Sequence, residues 1–121
     1  MAMPGGAGFA IRELDEVEPV RCSCGWVRRA LTGEHNDLLS VHVVEIEADS
    51  KIHFHKKTTE TYYVLDGTGQ IELDDQVFDI RPGMVIHIRP GTRHRATGRL
   101  KILNIVIPPF DPDDVYECAF A

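Results

Sequence analysis

From Gly25 onward the sequence is interrupted every few residues by a turn signal, and no ten-residue stretch carries a helical period. The segments between the interruptions read as strands: "WVRRAL", "LLSVHVVEIEA", "KIHFH", "TYYVLD", "QIEL", "QVFDI", "MVIHI", "HRA" and "KILNIVI". The longest carries the β-branched residues Val41, Val43 and Ile46, which suit a pleated, half-buried surface. "ADS", "GTG", "DD", "RPG" and "RPGT" separate them. In the last two, proline presets one corner and glycine supplies the positive φ that closes a turn. Gly67 and Gly69 are expected to flank a hairpin turn for the same reason. Short, evenly punctuated strands without helices point to an all-β, antiparallel sandwich or barrel.

Length and composition narrow this further. A chain of 121 residues suits one domain, and 43% hydrophobic with 26% charged residues is enough for a core without staples. Residues 25–109 are expected to form the barrel. Residues 1–24 form an N-terminal segment, loose at its start, in which "FAIRELDEVEPV" reads as a strand or a single helical turn. Residues 110–121, acidic and proline-rich, read as an exposed C-terminal tail. Thirteen basic against nineteen acidic residues leave a net charge of −6, which disfavours a nucleic-acid surface. No apolar run approaches the ~18 residues of a membrane span, and "MAMPGGAGFA" lacks the features of a secretion signal, so a cytoplasmic protein is expected. Cys22 and Cys24 are too close in sequence for a strain-free disulfide; with Cys118 they read as reduced thiols.

The histidines carry the chemistry. His53 and His55 alternate with Phe54, so on a strand they share a face with Cα atoms roughly 7 Å apart. Such a pair can be the solvent face of a strand or two ligands of one ion. Glu60 joins them only if "KKTT", residues 56–59, turns or bulges, because its offset from both histidines is odd. His94, after a Pro-Gly turn, could arrive from another strand. Three imidazoles and one carboxylate suit a borderline divalent ion: Zn, Fe, Mn, Ni, Co or Cu. Four protein ligands leave about two positions of an octahedral ion for a substrate.

The spacing of these residues resembles the two motifs of the cupin superfamily. In the first, two histidines flank one residue, and a glutamate and then a glycine follow; His53, His55, Glu60 and Gly67 match. In the second, Gly83, Gly91 and His94 match, while Arg89 takes the usual proline position beside Pro90 and Gly98 the usual asparagine position. The resemblance covers roughly residues 38 to 107. It implies an antiparallel jelly-roll β-barrel with one divalent transition metal held by His53, His55, Glu60 and His94. It also implies a homodimer, paired through sheet edges or by exchange of an N-terminal strand. Phe9, Ile11, Val20, Trp26 and Val27 are the apolar groups available to cover a neighbour's sheet.

Several other residues are candidates for the site. Tyr62 shares a face with Glu60 and could donate to a substrate or move a proton, or simply pack. His87 in "MVIHI" could line the cavity and act with it, and His42 in "VHVV" is similar. His35 reads as a loop residue. Asn104, an isolated polar residue in "KILNIVI", could point inward. Arg28, Arg29 and Arg95 could lend positive charge to the mouth for an anionic substrate. Cupins include isomerases (the mannose-6-phosphate type among them), lyases, dioxygenases and non-catalytic binders, so the fold does not choose. The first expectation is a metal-dependent enzyme acting on a small sugar or organic acid, with a metal-dependent small-ligand binder as the alternative.

Overall fold

Alternation along the strands decides the layers. In Ser40–Ile46 every second residue (Ser40, His42, Val44, Ile46) is buried, and the residues between are not. Two successive side chains of a strand cannot enter the same core, so one face packs inward and the other meets water. The computed structural model describes residues 8–33, 37–47 and 50–118. A 3-10 turn, Leu14–Glu16, precedes nine strands: β1 Val20–Cys22, β2 Gly25–Ala30, β3 Ser40–Ile46, β4 His53–Phe54, β5 Thr59–Leu73, β6 Gln76–Ile80, β7 Val85–Ile88, β8 His94–Ile107 and β9 Tyr116–Glu117. "FAIRELDEVEPV" thus contributes a helical turn rather than a strand. No helix among the described residues is long and apolar enough to cross a membrane.

Every pairing is antiparallel. One wall runs β1-β2-β3-β8-β4-β9, and β5 carries β6 and β7 on the other. β5 also pairs with β8, from Thr59↔Ile107 to Leu73↔His94, which curls the sheet into a barrel. Val27, Val44, Val64, Ile71, Ile88 and Ile102 fill its closed half.

The turn expected at "GTG" does not form. The chain runs through it as β5, with a register shift between Val64 and Asp66, and β8 likewise runs through Gly98. The glycines serve close approach instead. A Cβ on Gly67 would lie 1.9 Å from Arg99 O, and one on Gly69 would lie 2.1 Å from Thr97 O. Gly69 stands opposite Gly98, so two long strands cross with no side chain between them. The turn signals at "DD", "RPG" and "RPGT" hold: Asp74 takes φ 55° between β5 and β6, and Gly83 and Gly91 take φ 94° and 86°.

The described part of the acidic tail, residues 110–118, packs onto the barrel instead of running free, though Pro112, Asp113 and Glu117 are exposed. β9 pairs with β4, and Tyr116 stacks on Phe54 with ring centroids 5.3 Å apart. Asp114 is 1% exposed because its carboxylate organises the turn before β5. Its Oδ1 accepts from Lys56 N at 2.9 Å; its Oδ2 accepts from Lys57 N at 3.0 Å, Thr58 N at 3.1 Å and Thr58 Oγ1 at 2.9 Å. Residues 1–7, His35 and the Ala48–Asp49 part of the "ADS" turn lie outside the described residues.

Candidate metal centre and its cavity

The Asp114 clamp solves the parity problem of Glu60. Bending the chain over residues 56–58 lets β5 start beside the histidine pair, with Glu60 turned toward it. His94 opens β8 directly opposite His53. The rings of His53 and His94 are 4.3 Å apart, those of His53 and His55 5.1 Å, and those of His55 and His94 5.3 Å. One donor atom from each of His53, His55, Glu60 and His94 lies within 4.8 Å of all the others, and all four residues are buried. The expected ligand set converges.

Outer hydrogen bonds fix which nitrogens face the centre. His53 Nδ1 lies 3.0 Å from Lys51 O, His55 Nδ1 2.7 Å from Asp114 O and His94 Nδ1 2.9 Å from Thr92 O. A carbonyl only accepts, so each Nδ1 donates and each Nε2 is left to turn inward, as a ligating imidazole requires. Glu60 Oε1 lies 3.1 Å from His55 Nε2 and 3.0 Å from His94 Nε2. Despite this approach, His94 Nε2 is a buried polar atom without a hydrogen-bond partner. Glu60 Oε2 accepts from Asn104 Nδ2 at 2.6 Å. Burial opposes the charge on Glu60, but His55 and His94 outweigh it and hold the carboxyl well below the usual range. Burial also opposes charge on His55, yet its hydrogen bond to Glu60 raises its pKa; burial and His94 bring His53 down to about 4. An ionised carboxylate and three inward imidazole nitrogens, one of them unpartnered, fit a borderline divalent cation.

The cluster borders a cavity of about 430 Å³. Tyr62 lines it, 7% exposed, with its ring edge-on to His94 at 6.5 Å. Burial, and then Glu60, pushes its phenol well above 10, so it stays protonated. His87 stands elsewhere. Ile86 and Ile88 take the core side of β7, leaving His87 exposed on the outer face with Nδ1 2.9 Å from Thr61 Oγ1. The alternation of β7 was legible, but which face turned inward was settled by the two isoleucines. The expectation that His87 lines the cavity is therefore corrected.

Asn104, His42, Arg29 and Arg95 do line the cavity. His42 is brought down to about 4 by burial and then Arg29, so it is neutral; its Nε2 lies 2.8 Å from Ser40 Oγ. Arg28 turns to the other face, 3.9 Å from Asp15. Sequence reasoning missed Asp114, whose role depends on contacts across the fold, and missed the thiols. Cys22 and Cys24 reach the cavity wall with Sγ atoms 3.5 Å apart. The hydrogen bond from Cys24 draws Cys22 down to about 6 and raises Cys24 in turn. All three cysteines are free thiols.

A family model described as a cupin domain matches residues 40–106. The chain is 29% identical over 111 residues to the uncharacterized protein MJ1618 of Methanocaldococcus jannaschii, covering 84% of this chain and 89% of that one. It is 28% identical over 99 residues to an L-ectoine synthase of Nocardia farcinica, covering 77% of this chain and 76% of the synthase. A crystal structure of a protein from Planctomyces limnophilus superposes with a TM-score of 0.85 at 38% identity, covering 95% of this chain and 97% of that one.

Proposed function

The chain belongs to the cupin family, and from that premise we propose that it is a metal-dependent enzyme acting on a small oxygen-rich molecule, a sugar or an organic acid. The observation that carries this reading is the convergence of His53, His55, Glu60 and His94 beside a cavity large enough for such a molecule. A divalent transition ion (Zn, Fe, Mn, Ni, Co or Cu) held by those four residues would supply Lewis acidity toward a substrate oxygen, or redox chemistry if the ion is iron. The similarity to an L-ectoine synthase supports catalysis over ligand binding alone.

The chain's own residues divide the remaining work. Carbonyls of Lys51, Thr92 and Asp114 hold the three rings in place. Asn104 holds the far oxygen of Glu60, which commits that carboxylate to ligation rather than proton transfer. Tyr62 stays protonated and donates a hydrogen bond to a bound oxygen. The alternative, a non-catalytic metal-dependent ligand binder, is favoured by one observation. Both Glu60 oxygens are engaged and His42 is a weak base, so neither supplies a free general base beside the centre.

We also read the protein as a homodimer. Phe9, Ile11, Val20 and Trp26 are 69%, 80%, 46% and 39% exposed, an apolar set at one end of the chain that a second copy would cover; Val27, expected among them, is core. Light scattering on purified protein gives twice the chain mass if so.

The test of the principal reading is metal content and turnover. Protein purified without added metal is expected to carry about one transition ion per chain. Glu60→Gln and His94→Ala are expected to lose it while staying folded. Folded wild-type protein that takes up no such ion from a panel of six would sink the metal centre. Full loading without turnover of sugars, uronates, hydroxy acids or keto acids would leave the binder.

A further inference from the structure

The cavity takes cations from several strands, and most are paired. Arg21 meets Glu47 at 3.2 Å, Lys51 meets Glu117 at 3.9 Å and Arg95 meets Glu72 at 2.6 Å. Arg29 differs. It enters the cavity from the same inward face of β2 as Val27, and no carboxylate among the described residues pairs with it. Its guanidinium lies 3.7 Å over the Phe110 ring, and its Nε, like those of Arg28 and Arg95, is buried without a hydrogen-bond partner. Desolvation lowers its pKa, with the Cys22 and Cys24 thiols acting the other way. Arg29 is half-buried, and the ring face beneath its guanidinium satisfies none of the N–H groups, so the buried Nε stays without a partner.

A second orphan lies on the same row. Register places Arg29 opposite His42, His42 opposite Asn104, and Asn104 opposite Tyr62, across four strands. Asn104 gives its amide N–H to Glu60, while its Oδ1 is buried with no hydrogen-bond partner. The row therefore presents a guanidinium without a carboxylate partner at one end and, two strands away, an unpartnered acceptor next to the candidate ligand Glu60. Strands lie about 4.8 Å apart, so the two Cα atoms are roughly 10 Å apart with both side chains reaching inward. That span suits an acid of a few carbons. A single guanidinium free of any carboxylate matches one carboxylate, whereas a phosphate dianion calls for two cations.

We propose that Arg29 is the carboxylate-binding residue of this cavity, selecting small monocarboxylates that carry a hydroxyl or amine donor for Asn104 Oδ1. This deepens the proposed function, on which it rests for the identity of the cavity as the substrate site. A planar guanidinium binds a carboxylate with two parallel hydrogen bonds, which an amide of the same shape cannot accept.

Titration calorimetry with lactate, lactamide and inorganic phosphate tests this, with metal content measured on every sample. Wild-type protein is expected to bind lactate roughly 10- to 100-fold more tightly than lactamide. Arg29→Gln is expected to abolish that preference, and Arg29→Lys to restore part of it, with metal per chain unchanged in both. Equal binding of lactate and lactamide by the wild type overturns the inference. So does binding of neither, tighter binding of phosphate than of lactate, or a preference retained in Arg29→Gln. Should the variants fail to fold, the wild-type comparison alone decides. Wild-type protein devoid of metal removes the proposed function, while its preference for lactate over lactamide still upholds or overturns the role of Arg29.

Discussion

Replacing Asp114 with alanine tests how the fold assembles its centre. The carboxylate accepts four hydrogen bonds over residues 56–58 and is 1% exposed. Not all four count equally. Lys56 and Lys57 are exposed, so their N–H groups can turn to water. Thr58 is 5% exposed, so its N–H and hydroxyl are stranded. A hydrogen bond to a charged acceptor contributes about 1.5–3 kcal/mol, and a stranded buried donor costs about 1–3 kcal/mol. Two rehydrated and two stranded donors give a net loss of about 3 kcal/mol. Against a typical domain stability of about 5–15 kcal/mol the variant still folds. For a domain of this size that corresponds to a fall in Tm of roughly 10 °C. Urea unfolding followed through Trp26 fluorescence reads the stability, and metal titration reads the site. The turn that Asp114 clamps also sets the positions of His55 and Glu60, so metal affinity falls together with stability. A loss under about 0.5 kcal/mol with unchanged metal affinity would refute the reasoning, because surface-type substitutions give no more than that.

Three further outcomes are expected. Asp114 has its pKa lowered below the ordinary 3.8: burial raises it, but the N–H groups of Lys56, Lys57 and Thr58 outweigh burial. A depressed carboxyl stabilises the fold above that ordinary value and loses its contribution as pH falls through the native one, so wild-type unfolding should steepen below about pH 4 and Asp114→Ala should lack that component. Gly67→Ala forces a Cβ to 1.9 Å from Arg99 O at φ 85°, whereas Gly83→Ala at φ 94° meets nothing within 4 Å. Thermal melts should show about 3 kcal/mol or more lost for the first and about 1 kcal/mol for the second. His87→Ala removes an exposed ring from the outer face, so stability should stay within about 0.5 kcal/mol and metal content should not change; a lost ion would show His87 to be part of the site after all.

The sequence by itself determined the all-β class, most turns and the four candidate ligands. Local chemistry writes these: proline and glycine at "RPG" and "RPGT", a positive-φ aspartate at "DD", and a His-x-His pair whose shared face follows from strand geometry. Only the tertiary structure decided the rest. "GTG" carries a turn's composition, yet Gly67 and Gly69 lie inside β5 because a second long strand crosses there. His87 and Tyr62 were both candidates beside the centre until packing of Ile86 and Ile88 turned His87 out. Asp114 looked like tail, and Arg29, His42 and Asn104 stood far apart in sequence. Their alignment depends on which strand pairs with which and in what register, and register is set by the burial of whole faces, which no short stretch of residues encodes.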